Sequence, residues 1–396
     1  MKNNPENSVQ KKNKSSFRFS SAAGSSIAAV LLLTFMFSFL LVTLIRRTGE
    51  ESYQENRILC KMPEISLSSL ADGSYFSQLG RYFADNFAGR SHWISVKGEL
   101  DASIGEPIVN NVYIADDMLL KLPDSHEIIG GDRAEAVNSF AAAYDGTVCF
   151  AAIPTSSGVY EDAFPAYIAN NQEKQQIDTL YSQLDTGIKK IDAYNILRML
   201  NDNYIYYRND TKWTSYGAYC VYRTAIQKLG FLPVSYDKFT IEHVSGDYRG
   251  NLYNLTQYTK VKADIIDIYN CTGGAEVLSC TAYDSSGASG ERMLYDKSFI
   301  GSNDMYDMYM GEKAPMIKIT TSVNNDKKLL VIKDSFADCF VPFLVQHYSE
   351  IAVIDAEALD SELSEFVDKN EYPQTLMLFG IDSIRSNDRF SEWQKQ

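Results

Sequence analysis

Apolar and polar positions along this chain fall into three regimes. The first is a single apolar block, "IAAVLLLTFMFSFLLVTLI" (Ile27 to Ile45), within a stretch that carries no charge between Arg18 and Arg46. Its length approaches the ~20 residues needed to cross a bilayer, and a buried core helix of that length would show a polar face. A cleavable signal peptide has an apolar region of ~7–15 residues that ends at small residues. This block is longer and runs straight into "RRTGEES". The pattern therefore predicts an uncleaved transmembrane signal anchor over residues 21–47.

The second regime alternates helical spacing with short apolar runs. "YFSQLGRYFADNF" (Tyr75 to Phe87), "AEAVNSFAAAY" (Ala134 to Tyr144) and "QEKQQIDTLYSQL" (Gln172 to Leu184) read as helices. "TVCFAAI" (Thr147 to Ile153) and "IKKIDAY" (Ile188 to Tyr194) read as strands. Toward the C-terminus the alternation sharpens. Strands at "KKLLVIKDS" (Lys327 to Ser335), "EIAVIDA" (Glu350 to Ala356) and "TLMLFGI" (Thr375 to Ile381) enclose helices at "FADCFVPFLVQHY" and "ALDSELSEFVD". Strand, helix, strand, helix, strand implies a parallel sheet with right-handed crossovers, hence an α/β fold.

The third regime has little periodicity. Residues 48–67 are polar and read as a tether, and 240–325, with several Gly, Ser and Tyr, as an irregular insertion of strands and long loops. The expected organisation is a basic cytoplasmic tail (1–20), the membrane span (21–47), the tether (48–67) and an extracytoplasmic domain (68–396).

Charge adds orientation. Lys2, Lys11, Lys12, Lys14 and Arg18 precede the apolar block, and only Arg46 and Arg47 follow closely. The positive-inside bias places the N-terminus in the cytoplasm and the bulk outside, in a single pass of the cell membrane. The whole chain carries −14, and because residues 1–47 hold seven basic residues and a single acid, Glu6, the remainder carries −20. That argues against nucleic acid and against docking on anionic lipid, the apolar span being the contact with the bilayer. The hydrophobic fraction of 45% and 26 tyrosines indicate a folded body.

The cysteines, at 60, 149, 220, 271, 280 and 339, form no CxxC pair, and His92, His126, His243 and His347 are scattered. Neither a zinc site nor a cofactor is expected. Cys271 and Cys280 flank a Gly-rich turn and are compatible with a local disulfide or with two free thiols.

Candidate chemistry lies in two places. Ser335 ends an apolar strand, at the carboxyl edge where open α/β sheets bind ligands. A serine there is an acyl-transfer nucleophile if a base reaches it, or a simple helix cap. The second place is "YYRNDTKWTSYGAY" (Tyr206 to Tyr219), where Asp210 and Lys212 are two apart and Thr214 or Ser215 starts a helix. An Asp beside a Lys holds the ammonium protonated and removes its power as a base. The bland alternative is a surface ion pair.

The block "NDTKWTSYGA" (Asn209 to Ala218) resembles the "TDHHWT-x-x-GA" block of the DHHW family of bacterial envelope proteins. So do "ENRILCKMPEIS" (Glu55 to Ser66), "GRYFADNFAGRSHW" (Gly80 to Trp93), "AAIPTSSGVYEDAFP" (Ala151 to Pro165) and "LLVIKDSFADCFVPFLVQHYSEIAVID" (Leu329 to Asp355), in the family's order. That family is similar to the SGNH-like domains of alginate O-acetyltransferases, which carry a Ser-His-Asp triad. The resemblance implies an SGNH-hydrolase-like (flavodoxin-like) fold with helices on both faces of the sheet. It puts the nucleophile on Ser335, the acid on Asp210, the first His of the pair on Thr211 and the catalytic His on Lys212. Trp213 in the block and Tyr207 just before it are the aromatic residues expected at a sugar substrate.

Two functions follow. One is an extracytoplasmic protein of the cell envelope, degenerate for want of the catalytic His, that binds glycan or a membrane acyl-transfer partner. The other is an active Ser-dependent O-acyltransferase or esterase on an envelope polysaccharide, needing either a neutral Lys212 or His243 brought in by the fold. The removed base favours the first.

Overall fold

The computed structural model describes residues 21–45, 51–52, 57–103, 107–122, 129, 131–168, 172–302, 304–359 and 361–386. The basic tail 1–20, Arg46, Arg47, His126 and residues 48–50 and 53–56 of the tether lie outside these residues. The chain forms two compact units, residues 1–52 with 58–90, and residues 53–57 with 91–396. In the first, a helix spans Ser21–Ile45, and Ser26–Thr43 within it has a mean hydropathy of 2.4, long and apolar enough to cross a membrane. Its Leu31, Leu33 and Phe37 stand exposed, the opposite of a core helix. The same unit holds the helix Ser74–Asn86.

The second unit is built on an eight-stranded sheet: β1 (Thr147–Ile153), β2 (Lys189–Ile191), β3 (Val277–Asp284), β4 (Gly287–Glu291), β5 (Met316–Thr321), β6 (Lys328–Lys333), β7 (Glu350–Asp355) and β8 (Gln374–Gly380). Their spatial order is β4-β3-β5-β7-β6-β8-β1-β2. Five strands, β7-β6-β8-β1-β2, are mutually parallel. The expected all-parallel sheet is corrected at β5, which runs antiparallel to β7 and extends the sheet through β3 and β4. The physical reason is in the residues. The inner strands β1, β6 and β8 are nearly continuous apolar runs covered on both faces, whereas "MIKITT" in β5 alternates apolar with polar, as a half-covered antiparallel strand does. The region 240–325 is therefore not a mere insertion, because β3, β4 and β5 complete the sheet.

Alternate residues of the parallel strands feed two cores. Leu329, Val331, Ile351, Val353, Leu376 and Leu378 pack on one face with Ala218, Val221 and Tyr222 of the helix Ser215–Lys228. Leu330, Ile332, Ala352, Ile354, Met377 and Phe379 pack on the other with the helices Gly131–Ala142 and Glu173–Gln183. Helices thus cover both faces.

Two expected helices are much shorter. Residues 336–348 form a 3-10 turn at Ser335–Ala337 and one helical turn at Val341–Leu344. Pro342, without an N–H, fits only a first turn and leaves no room for a helix running through it. The second shrinks to Leu363–Phe366. Cys271 and Cys280 are free thiols and form no local disulfide.

Candidate active site

Ser335 follows β6, after Asp334, which caps the 3-10 turn. The Asp334 carboxylate accepts from Phe336 N at 2.9 Å and from Gly380 N, at the end of β8, at 2.8 Å. It ties together the two parallel strand ends that flank the serine. Burial pushes its pKa up, opposed by the nearby Lys212 cation and by its hydrogen bonds. Just before it, Lys333 Nζ lies 2.7 Å from Asp338 and 2.6 Å from Asp355. Burial works against that ammonium, yet the two carboxylates outweigh it and its pKa is raised. Asp338 is pushed up by burial to about 6, against the pull of Lys333.

The opening motif forms a tight loop. Tyr206 bridges Trp213 antiparallel, and Tyr207 N donates to Lys212 O at 3.1 Å. Thr214 caps the helix Ser215–Lys228, its hydroxyl accepting from Gly217 N at 3.2 Å and donating to Tyr204 O at 2.8 Å. A Cβ on Gly217 would overlap the Ile205 carbonyl, so glycine lets the helix start against the incoming chain. Asp264, buried on the hairpin formed by Phe239–Tyr248 and Asp264–Cys271, accepts from Arg208 N and Asn209 N, both at 2.8 Å.

The loop meets the serine through adjacent residues. Trp213 Nε1 donates to Phe336 O at 2.8 Å, and the indole stacks on Phe340 at 6.2 Å. One position earlier in each segment, Lys212 Nζ lies 2.5 Å from Ser335 Oγ. The same Nζ stands 4.5 Å from the centre of the Phe336 ring. Among the described residues, Lys212 forms no ion pair with a carboxylate.

The expected Asp210–Lys212 ion pair is thus replaced by another arrangement. Asp210, 6% exposed, accepts from Tyr248 OH and, at 3.3 Å, from Asn251 N on one oxygen. On the other it accepts from Lys212 N at 3.2 Å and from Thr211 Oγ1 at 3.3 Å. Asp210 holds the backbone of Lys212, not its ammonium.

Tyr207 and Trp213, expected at a substrate, are both fully buried and present no surface to one. Tyr207 packs edge-on to Tyr248 at 5.0 Å. His243 does not reach Ser335. It is exposed on the hairpin, with Nδ1 2.5 Å from Asp267 Oδ1. His347 is buried, its Nε2 2.6 Å from Tyr222 OH. Tyr248 and Gly250 are site residues that sequence reasoning missed. Their stretch has no periodicity, and nothing in it points to Asp210. Among the described residues no cluster of His, Cys, Asp and Glu is arranged to hold a metal.

A serine at the carboxyl end of a central parallel strand, in contact with a single amine, defines an α/β protein with a serine-centred site. The sequence matches the family described as DHHW protein over residues 99–354, and the chain belongs to that family. Its fold is similar to a DHHW family protein from Eubacterium siraeum DSM 15702, with 21% identity and a TM-score of 0.61, covering 72% of this chain and 95% of that one. It is also similar to Bacillus cereus PatB1, with 20% identity and a TM-score of 0.59, covering 70% and 98%. PatB1 has also been solved with a sulfonyl adduct, where the TM-score is 0.60 at 18% identity, covering 70% and 97%. No curated protein matches the sequence.

Proposed function

We propose that this chain is a membrane-anchored, SGNH-like protein of the cell envelope in which Ser335 and Lys212 act as nucleophile and base in acyl transfer. The contact of 2.5 Å between Lys212 Nζ and Ser335 Oγ carries the proposal. It is slightly shorter than the roughly 2.6–3.2 Å over which a base takes a hydroxyl proton. Asp210 is turned to Tyr248 and to backbone donors, so it makes no ion pair with Nζ.

The neutral amine of Lys212 takes the Ser335 proton as Oγ bonds to the acyl carbon, and the carbonyl becomes an oxyanion. Collapse breaks the bond to the leaving oxygen, which receives the proton from Lys212. A second hydroxyl, of a glycan or of water, then gives its proton to Lys212 as its oxygen bonds to the acyl carbon, and Ser335 Oγ leaves and takes that proton back. The substrate class, an O-acylated envelope polysaccharide, rests on the resemblance of the sequence blocks. The apolar helix and the basic residues before it support anchoring with the body outside.

A second reading has its own observation. The Phe336 ring 4.5 Å from Nζ favours the cationic lysine, which binds a carboxylate and cannot take a proton. This is the non-catalytic glycan- or partner-binding protein.

Turnover of a chromogenic acetyl ester by the full chain in detergent separates the two. Wild-type turnover abolished in Ser335→Ala and in Lys212→Ala supports catalysis. No wild-type turnover, with activity appearing in Lys212→His, supports the binding protein, a site silenced at one position. General-base assistance is worth roughly 10²–10⁴-fold, so the contrast is measurable.

A further inference from the structure

The hairpin Phe239–Tyr248 with Asp264–Cys271 touches the reactive loop through two reciprocal carboxylates. Asp264 of the hairpin holds the backbone of Arg208 and Asn209. Asp210 of the loop receives Tyr248 OH, from the end of the hairpin's first strand, and Asn251 N just beyond it. Gly250 lies between them, and a Cβ there would overlap the Asp210 carboxylate. Its φ of −91° is open to any residue, so glycine is required by the close approach and not by backbone conformation. The other oxygen of Asp210 receives the Lys212 N–H.

We infer that Tyr248 is a positioning residue for Lys212, acting through Asp210: its hydroxyl fixes the carboxylate that fixes the lysine backbone, and so sets Nζ against Ser335 Oγ. The hydroxyl of Tyr248 and the amide of Asn251 hold one oxygen of Asp210, and the Lys212 amide holds the other. Tyr248 is 3% exposed and its pKa is raised well above the ordinary value, by burial first and the Asp210 charge second. It therefore stays a donor. The inference rests on the proposed role of Lys212, although the geometry of the clamp is testable without it.

The test uses the full chain in detergent with Tyr248→Phe, Asp210→Asn and the double variant. Tyr248→Phe keeps the ring against Tyr207 and removes only the hydroxyl. A misplacement of about 1 Å costs on the order of 10²-fold in rate, so kcat should fall roughly 10- to 100-fold with KM unchanged. The double variant should be no slower than the slower single one, because both cut the same link. Crystal structures of wild type and Tyr248→Phe supply the arm independent of turnover, with Nζ and Oγ separating beyond hydrogen-bond distance in the variant. An unmoved Lys212, or losses in kcat that multiply in the double variant, overturns the inference. If Tyr248→Phe does not fold, Asp210→Asn alone is read in the same way, by kcat and by the same distance. Absence of wild-type turnover would sink the proposed catalysis, and the crystallographic distance would still decide the clamp.

Discussion

Lys212 and Ser335 stand 123 positions apart in the chain, and Nζ of one lies 2.5 Å from Oγ of the other. Their next neighbours make the meeting specific. Trp213 donates to the Phe336 carbonyl, so the loop and the strand end are joined one residue beyond the reactive pair. A flexible lysine is thereby delivered from a rigid base.

Replacing the lysine by arginine tests whether it moves a proton or only carries charge. A guanidinium keeps the charge but does not deprotonate in a protein. Ester turnover should fall at least ~100-fold in Lys212→Arg. Wild-type turnover in Lys212→Arg would remove the lysine from the chemistry.

A second expectation concerns the nucleophile itself. A sulfonyl fluoride should form a sulfonate ester on Ser335 with loss of fluoride, located by peptide mass mapping. Labelling should slow in Lys212→Ala, since the hydroxyl then lacks its proton acceptor. Label on other residues alone would remove Ser335 from the role of nucleophile.

Trp213→Phe probes what joins the loop to the strand end. The change leaves the Phe336 carbonyl buried without its donor and the ring site underfilled. Stability should drop by roughly 2–3 kcal/mol in urea denaturation. A loss within error of zero would mean that the indole N–H bond does not hold the junction.

Acid sensitivity has a specific source in His347. Burial lowers its pKa to about 4 from an ordinary 6.5. Between those values the unfolded chain binds the proton and the folded one does not. The stabilising contribution is therefore complete above about 6.5 and is lost as pH falls toward 4. His347→Gln should flatten the decline of the urea midpoint across pH 6.5 to 4, and an unchanged slope would place the acid sensitivity elsewhere.

The N-terminal helix leads to a simple localisation test. The full chain should sediment with membranes and resist extraction by high salt, and external protease should reach the C-terminal body in intact cells. Release by salt alone would point away from a spanning helix.

Local pattern carried much of this protein by itself. The apolar helix, β1, β6, β7, β8 and the Thr214-capped helix were legible because continuous apolar runs and capping residues act over a few positions. So were the motif around Asp210 and the place of Ser335 at a strand end. Strand partnership was not legible. β5 joins antiparallel to β7 and brings in β3 and β4, and nothing within six residues says which edge a strand will pair with. Pairing of side chains across the fold was hidden for the same reason. The two-residue spacing of Asp210 and Lys212 suggested an ion pair, but burial opposite Tyr248 gave the carboxylate other donors. Tyr207 and Trp213 had the composition of a sugar platform, yet their rings fill the core, where the largest apolar area leaves water. Only the tertiary structure could decide these points, because which donor meets a carboxylate and which face of an aromatic residue is covered depend on chain segments far apart in sequence.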